Sequence, residues 1–127
     1  MGTSSYPSAG AVYVVYGEVN STRYTLDLGN LQYNEGFSIL GPAANAACGS
    51  SVAVGNINDD IFGDVVIGCK RSSPPSGMFA GETYVVFGSS DALTVDLASF
   101  VSNPTTGVRI TGAAAMDQAG SAVSVGD

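Results

Sequence analysis

The residues of this sequence best suited to chemistry lie in one short segment, 56–64. Counted from Asn56 as position 1, side-chain oxygens fall at positions 1, 3, 5 and 9 (Asn56, Asn58, Asp60 and Asp64), with the carbonyl of Phe62 at position 7. Alternate residues of a tight loop can turn their oxygens toward one point, and Ca²⁺ takes about 6–8 oxygens, some of them from water. The spacing therefore predicts a calcium site at these five residues.

The same segment also suits a plain polar hairpin turn, because Asn, Asp and Gly dominate turns. Position 6, where Gly would ease a sharp bend, holds Ile61, which counts against a metal. Position 12, where an EF-hand loop needs an acidic ligand, holds Ile67, so the segment is not an EF-hand. Two of the four side chains are Asn, which predicts weak binding, in about the 10⁻⁴–10⁻³ M range of extracellular modules.

No set of residues typical of an enzyme stands out. The chain has no His, so a histidine base and histidine zinc ligands are excluded, and its serines have no Ser-x-x-Lys partner. The carboxylates in 56–64 could be a glycosidase pair, but their clustering in one turn fits metal ligation better. The sequence therefore predicts a protein without catalytic activity.

Charge excludes two further classes of partner. Lys and Arg number 4 against 11 Asp and Glu, a net charge of −7. A nucleic-acid binder and a polybasic membrane anchor both need a basic surface that this chain cannot build. The sequence has no apolar run of about 18–20 residues and no signal peptide at its start. We therefore expect either an intracellular protein or an interior piece of a longer one, and the internal repeat of the chain favours the latter.

This internal repeat has a period of 71 residues. Ala9-Gly-Ala-Val-Tyr-Val-Val-Tyr-Gly17 recurs as Ala80-Gly-Glu-Thr-Tyr-Val-Val-Phe-Gly88, and Leu26-Asp-Leu28 recurs as Val95-Asp-Leu97 at an offset of 69. Two further blocks, 37–41 and 49–56, recur as 108–112 and 120–127. The blocks are rich in β-branched and aromatic residues bounded by Gly, which is typical of strands. With 17 Gly and 45% hydrophobic residues, the composition favours an all-β fold of short strands and tight turns.

These blocks resemble FG-GAP repeats, the blades of integrin α-subunit-type β-propellers. The family pattern Gly-x-Ser-Val-Ala-x-Gly-Asp appears as Gly49-Ser-Ser-Val-Ala-Val-Gly-Asn56, and the family's Gly-x-x-Tyr-Val-x-Phe-Gly appears as Gly81-Glu-Thr-Tyr-Val-Val-Phe-Gly88. The loop 56–64 matches the family's calcium loop, with Asn56 in place of Asp and Ile61 in place of Gly. Cys69-Lys70 stands where the family has Ala-Pro.

The resemblance implies four-stranded antiparallel blades, with calcium bound between the two innermost strands of a blade. Residues 6–48 would hold the third and outer strands of one blade, 49–111 one complete blade, and 112–127 the first strand of the next. Carried over strand by strand, the innermost strands fall at 50–55 and 121–126, the second at 64–69, the third at 11–17 and 82–88, and the outer at 37–40 and 108–111. Because a propeller closes with about 4–8 blades, this partial propeller of just under two repeats would need further blades of a longer chain or self-association.

The function implied by the resemblance is calcium-dependent adhesion or ligand binding at an extracellular or cell surface, with an unknown protein or glycan ligand. Two alternatives stay open: a propeller scaffold appended to a secreted or surface enzyme, and a truncated fragment that self-associates. Asn20-Ser-Thr22 is an N-glycosylation sequon in a polar connection. Cys48 and Cys69 flank the hairpin, but a regular register would leave them about three residues apart, so both a disulfide and two buried thiols are possible.

Overall fold

The structure is a computed structural model that describes residues 6–17, 25–89 and 94–126. Within these ranges the regular elements are seven strands and two single-turn 3₁₀ segments, Leu28–Asn30 and Leu97–Ser99. The strands are β1 (Ala11–Val15), β2 (Gly36–Leu40), β3 (Cys48–Gly55), β4 (Asp64–Cys69), β5 (Glu82–Val86), β6 (Val95–Asp96) and β7 (Gly107–Thr111). The prediction of an all-β fold is confirmed.

The strands form two sheets. The first sheet has the order β1–β2–β6, with β1 antiparallel and β6 parallel to β2. The second sheet has the order β3–β4–β5–β7 and is antiparallel throughout. Six of the seven strands lie where the sequence places a strand, and the two-residue β6 is the addition.

The internal repeat is reproduced in the hydrogen-bonded register. The pairs Val12↔Ile39 and Val14↔Phe37 of the first sheet recur, 71 residues on, as Thr83↔Ile110 and Val85↔Val108 of the second. The 3₁₀ turns recur at the offset of 69, each capped by a preceding aspartate. Asp27 Oδ1 accepts from Gly29 N at 2.9 Å, and Asp96 Oδ1 accepts from Ala98 N at 3.0 Å.

One predicted strand is absent. Residues 121–126, expected as an innermost strand equivalent to β3, run without β-ladder pairing. A segment counts as a strand only when a neighbour shares its ladder, and no described segment supplies for 121–126 the partner that β4 supplies for β3. The sequence pattern identified a chain segment that can be a strand, but not whether its partner is present.

The core lies between the two sheets, which pack face to face. Val12, Val14, Phe37 and Ile39 of the first sheet meet Val65, Ile67, Tyr84 and Val86 of the second. Phe100, in the connection after the second 3₁₀ turn, packs edge-on against Tyr84 with ring centroids 5.4 Å apart. The core residues alternate with period 2 along their strands, whereas β4 is buried at all six of its positions.

Cys48 and Cys69 form a disulfide across β3 and β4. The expected register mismatch is real, because Ser51 pairs with Gly68, but a β-bulge after Cys48 absorbs it. Gly49, with φ +89°, and Ser50 have no opposite residues on β4, so Cys48 returns to face Cys69 with the Cα atoms 4.0 Å apart. Because the bulge brings the two cysteines opposite each other, they form a disulfide and are not two free buried thiols.

Candidate metal centre

The predicted calcium loop is the tip of the β3–β4 hairpin. The last strand pair before the tip is Gly55↔Asp64, and the intervening residues are solvent-exposed or half-buried. The bend is made at Asp59, whose φ of +60° is left-handed, a conformation that Asp tolerates better than most residues. The sharp bend expected at position 6 is therefore not needed there, and Ile61 instead projects into solvent, 92% exposed.

Asp64 is fully buried, and its carboxylate organises the main chain of the loop. Oδ2 accepts from Ile57 N at 2.7 Å and from Asn58 N at 3.3 Å, while Oδ1 accepts from Gly88 N at 2.8 Å. Hydrogen bonds from neutral N–H groups to a carboxylate are about twice as strong as those between two neutral groups. Asp64 therefore ties the start of the hairpin tip to the end of the neighbouring β5 region.

The outer half of the loop is held by two shorter-range hydrogen bonds. Asn56 Nδ2 donates to the carbonyl of Asp60 at 2.6 Å, and Asp60 Oδ1 accepts from Phe62 N at 2.9 Å. Because Asn56 uses its amide nitrogen, its Oδ1 stays available as an acceptor. These bonds draw positions 1, 5 and 7 of the predicted ligand set toward one another.

Several oxygens in the loop accept no hydrogen bond from any residue that the structure describes. They are Asn56 Oδ1, Asn58 Oδ1, Asp60 Oδ2 and the carbonyl of Phe62. Asp64 is the exception in the predicted set, because both of its oxygens already accept main-chain N–H groups. Four of the five predicted ligands thus keep a free oxygen at the tip, which is the kind of donor that hard cations prefer.

The loop does not bring three acidic side chains together. Across residues 6–17, 25–89 and 94–126, no group of three or more His, Cys, Asp or Glu side chains is arranged to hold a metal ion. Amide and carbonyl oxygens would have to supply most of the coordination. A site of this composition carries little negative charge and fits the weak binding predicted from the two asparagines.

Sequence reasoning missed a second polar cluster, which lies at the other end of the second sheet. Glu82 on β5 is 2% exposed, and its Oε2 accepts from Ser72 Oγ at 2.5 Å and from Tyr84 OH at 3.0 Å. Its Oε1 forms an ion pair with Arg109 of β7. A signal was present in the repeat: the first unit has Ala11 and Ser38 where the second has Glu82 and Arg109.

Electrostatics in this cluster shift two pKa values. Burial, together with the charge and hydrogen bond of Glu82, raises the pKa of Tyr84 well above its ordinary value. Burial alone would lower the pKa of Arg109, but the hydrogen bond and the negative charge of Glu82 outweigh it, so the pKa of Arg109 is raised. The negative charge of Glu82 thus favours the charged form of Arg109 and the neutral form of Tyr84.

A cavity of about 260 Å³ opens beside this cluster, walled by Pro74, Pro75, Phe100 and Arg109. Both acceptor atoms of Glu82 are already engaged by Ser72, Tyr84 and Arg109. The arrangement is that of a buried carboxylate whose two oxygens are both paired, with a partly exposed arginine as its ion-pair partner.

The part of the chain that the structure describes contains no helix with the length and hydropathy of a membrane span. Comparison of the chain with protein-family models, with curated proteins and with solved structures found no match.

Proposed function

We propose that this protein is a non-catalytic, calcium-binding β-propeller module of FG-GAP type, which acts by binding a protein or glycan ligand at an extracellular or cell surface. The observation that carries the proposal is that the two sheets share a pairing register. Each pair of opposed residues between β1 and β2 recurs 71 residues later between β5 and β7. Sheets that repeat in sequence and stack face to face are the building plan of propellers.

The second sheet supports the identification of residues 49–111 as one blade. It has four antiparallel strands, and β3, β4, β5 and β7 follow one another in sheet order as in the family pattern. The hairpin that joins β3 and β4 is the one in which the family binds calcium. The residues proposed as ligands are Asn56, Asn58, Asp60, Phe62 and Asp64.

In this proposal the calcium ion is structural and the aspartates have separate roles. Asp64 fixes the main chain through three N–H groups whether or not the ion is bound. Asp60 brings a half-buried carboxylate with one unused oxygen and is the main source of charge for the ion. A cation that joins Asp60 to the amide oxygens of Asn56 and Asn58 would fix the hairpin tip and the edge that β3 presents.

The disulfide supports the proposed location. Disulfides form and persist in oxidising compartments and are rare in the cytosol. The Cys48–Cys69 bond is buried at the end of the β3–β4 hairpin opposite its tip. The Asn20 sequon lies outside the described residues, so its use as a glycosylation site stays a prediction.

Thermal unfolding with and without Ca²⁺ tests the calcium site. We expect Ca²⁺ at about 5–10 mM, above the weak-module range, to raise the Tm of the wild type. Asp60→Ala should remove the increase, because the predicted ligand set then loses its one carboxylate oxygen that accepts no hydrogen bond from the described residues. Asp59→Asn is the matched control: it removes the same charge from the same loop at an exposed position outside the ligand set, and it should keep the increase.

The calcium proposal fails if the wild-type Tm does not change in Ca²⁺, or if Asp60→Ala keeps the increase just as Asp59→Asn does. In the second case the effect is general screening of an acidic surface. Mg²⁺ at the same concentration separates the two cases further, because Mg²⁺ demands a tighter octahedral site and is expected to leave the Tm unchanged.

A further inference from the structure

A cavity of about 410 Å³ lies where both sheets meet the chain segment that joins β5 to β7. It is lined by Phe37 of β2, by Val86 of β5, and by Asp96, Phe100 and Thr106 of the joining segment. None of its described lining residues belongs to the candidate metal loop. Small-molecule sites in proteins have volumes of about 300–1,000 Å³, so this cavity has the size of a ligand site.

Phenylalanine rings supply the apolar part of the lining, and neighbouring aromatic rings hold two of them in place. Phe37 packs against Tyr16 with ring centroids 6.3 Å apart, and Phe100 packs edge-on against Tyr84 at 5.4 Å. Phe87 is the third ring of the lining. Rings that are already held by packing need little ordering when a ligand binds, which favours affinity.

The main chain that carries Phe87 is held on both sides. Its N–H donates to the carbonyl of Thr106 at 3.0 Å, and the N–H of the next residue, Gly88, donates to the buried carboxylate of Asp64 at 2.8 Å. The wall of the cavity is therefore fixed by hydrogen bonds as well as by packing.

Three hydroxyl groups of the lining can only accept hydrogen bonds from a ligand. Ser99 Oγ and Thr106 Oγ1 donate to main-chain carbonyls at 3.2 and 2.5 Å, and Thr105 Oγ1 donates to Asn103 Oδ1 at 2.7 Å. A hydroxyl group has a single proton. Because each proton is already used, each of the three oxygens offers a ligand only its lone pairs.

Asp96 adds a carboxylate acceptor to this set. Its Oδ1 caps the 3₁₀ turn by accepting from Ala98 N at 3.0 Å, whereas its Oδ2 accepts from no residue that the structure describes. None of the described lining residues is Lys or Arg. A phosphate, sulfate or carboxylate ligand would meet the charge of Asp96 without a compensating cation, so the lining disfavours anions.

A ligand that fits this lining has an apolar face for the rings and several hydrogen-bond donors at separate positions. A neutral sugar has both, because its hydroxyl groups surround a ring whose C–H bonds form an apolar face. An ammonium group carries all its donors on one nitrogen atom, whereas the acceptors of the cavity belong to four residues, Asp96, Ser99, Thr105 and Thr106.

We propose that this cavity binds a neutral sugar unit of a glycan. The C–H face of the sugar packs on the phenylalanine rings, and its hydroxyl groups donate to Asp96 Oδ2 and to the three hydroxyl oxygens. This inference rests on the proposed function, from which it selects a glycan as the ligand and assigns that ligand a site.

NMR titration of the ¹⁵N-labelled protein tests the proposal. The probes are the methyl glycosides of glucose, galactose, mannose and N-acetylglucosamine, with sodium glucuronate and tetramethylammonium chloride as an anion and a cation for comparison. We expect at least one neutral glycoside to cause saturable shifts of the amide signals of residues 96–106. The two ions should bind there more weakly than that glycoside or not at all.

Asp96→Asn should weaken the binding of that glycoside about tenfold, because a charged acceptor is lost. The Asn side chain keeps an oxygen that can cap Ala98 N, so the turn is retained. Asp27→Asn is the matched control, since Asp27 caps the equivalent turn at Gly29 N and does not line the cavity. It should bind like the wild type. Phe87→Leu, which removes a flat ring but keeps an apolar side chain, is the second variant in case Asp96→Asn does not fold.

Three results would overturn the proposal: no saturable shift with any neutral glycoside, wild-type affinity in Asp96→Asn, or tighter binding of glucuronate or tetramethylammonium than of every neutral glycoside. The calcium measurement stays separate from these results. A rise of Tm in Ca²⁺ without sugar binding retains the calcium module and removes only the sugar site. Sugar binding without any effect of Ca²⁺ retains the sugar site and removes the calcium module.

Discussion

Arg109 on β7 donates to the buried carboxylate of Glu82 on β5 from both Nε and Nη2, and both bonds end on the same oxygen, Oε1. The other oxygen, Oε2, accepts from Ser72 and Tyr84. Both oxygens of the buried carboxylate are thus paired. The first unit of the repeat builds the same strand pairing with Ala11 and Ser38 at these positions, so the ion pair is not needed to form the register.

Removal of Arg109 should destabilise the protein more than removal of the whole pair. Arg109→Met leaves the Glu82 charge uncompensated, and loss of one partner of a fully buried pair costs about 3–5 kcal/mol. Because the Arg109 side chain is 39% exposed and water reaches it, we expect roughly 2–3 kcal/mol, below that buried range. The double variant Glu82→Gln/Arg109→Met should recover part of the loss in urea unfolding. A single variant as stable as the wild type would show that the pair contributes nothing.

Stability should fall at alkaline pH through Tyr84. Its pKa is higher in the folded protein than the ordinary value of about 10. The folded state therefore holds the phenol proton where the unfolded state has released it, so stability is full below about pH 10 and declines as the pH rises further. Tyr84→Phe should flatten the decline in free energy of unfolding measured from pH 9 to 11, whereas Tyr33→Phe, at a position 80% exposed, should not. Equal slopes for the two variants would contradict this assignment.

Most of the fold could be predicted from the sequence because the two units of the internal repeat can be aligned with each other. A block that recurs with its bounding glycines predicts a strand twice, and β1, β2, β5 and β7 lie where such blocks stand. The pattern failed at 121–126 because a strand depends on a partner that the pattern does not contain. The pattern also could not decide whether Cys48 and Cys69 form a disulfide. The β-bulge at Gly49 brings them opposite each other, and the alternation of side chains in the sequence does not reveal such a bulge.

The candidate metal loop was predictable in part for a related reason. Spacing identified the oxygen-bearing residues of the tip, but it treated Asp60 and Asp64 as equivalent ligands. Asp64 is buried against Gly88 N, a contact made across the sheet and 24 residues away in sequence. Local spacing cannot report such a contact, and neither can it report the buried pairing of Glu82 with Arg109, 27 residues away.

The disulfide should make a large contribution to stability. Cys48 and Cys69 are 21 residues apart in sequence, and closing a loop of that size restricts the unfolded chain by about 3 kcal/mol in the chain-entropy account. Urea unfolding should therefore shift to lower midpoint in the presence of a reductant. The Cys48→Ala/Cys69→Ala variant should show the same lowered stability with no further response to the reductant. If the urea midpoint of the wild type did not change after complete reduction, verified by thiol titration, the disulfide would make no contribution to stability.

The contact between segment 119–126 and the second sheet depends on the absence of a side chain at residue 68. A Cβ at Gly68 would collide with the carbonyl oxygen of Gly120 and with Ser51 Oγ, so Gly68→Ala cannot be accommodated without moving main chain. Overpacking of this kind costs about 1–3 kcal/mol, and the segment is the element that can move. Amide hydrogen exchange of 119–126 should therefore accelerate in Gly68→Ala but not in Gly126→Ala, because no atom lies within 4 Å of a Cβ at Gly126. Unchanged exchange in Gly68→Ala would mean that segment 119–126 does not pack on the second sheet in solution.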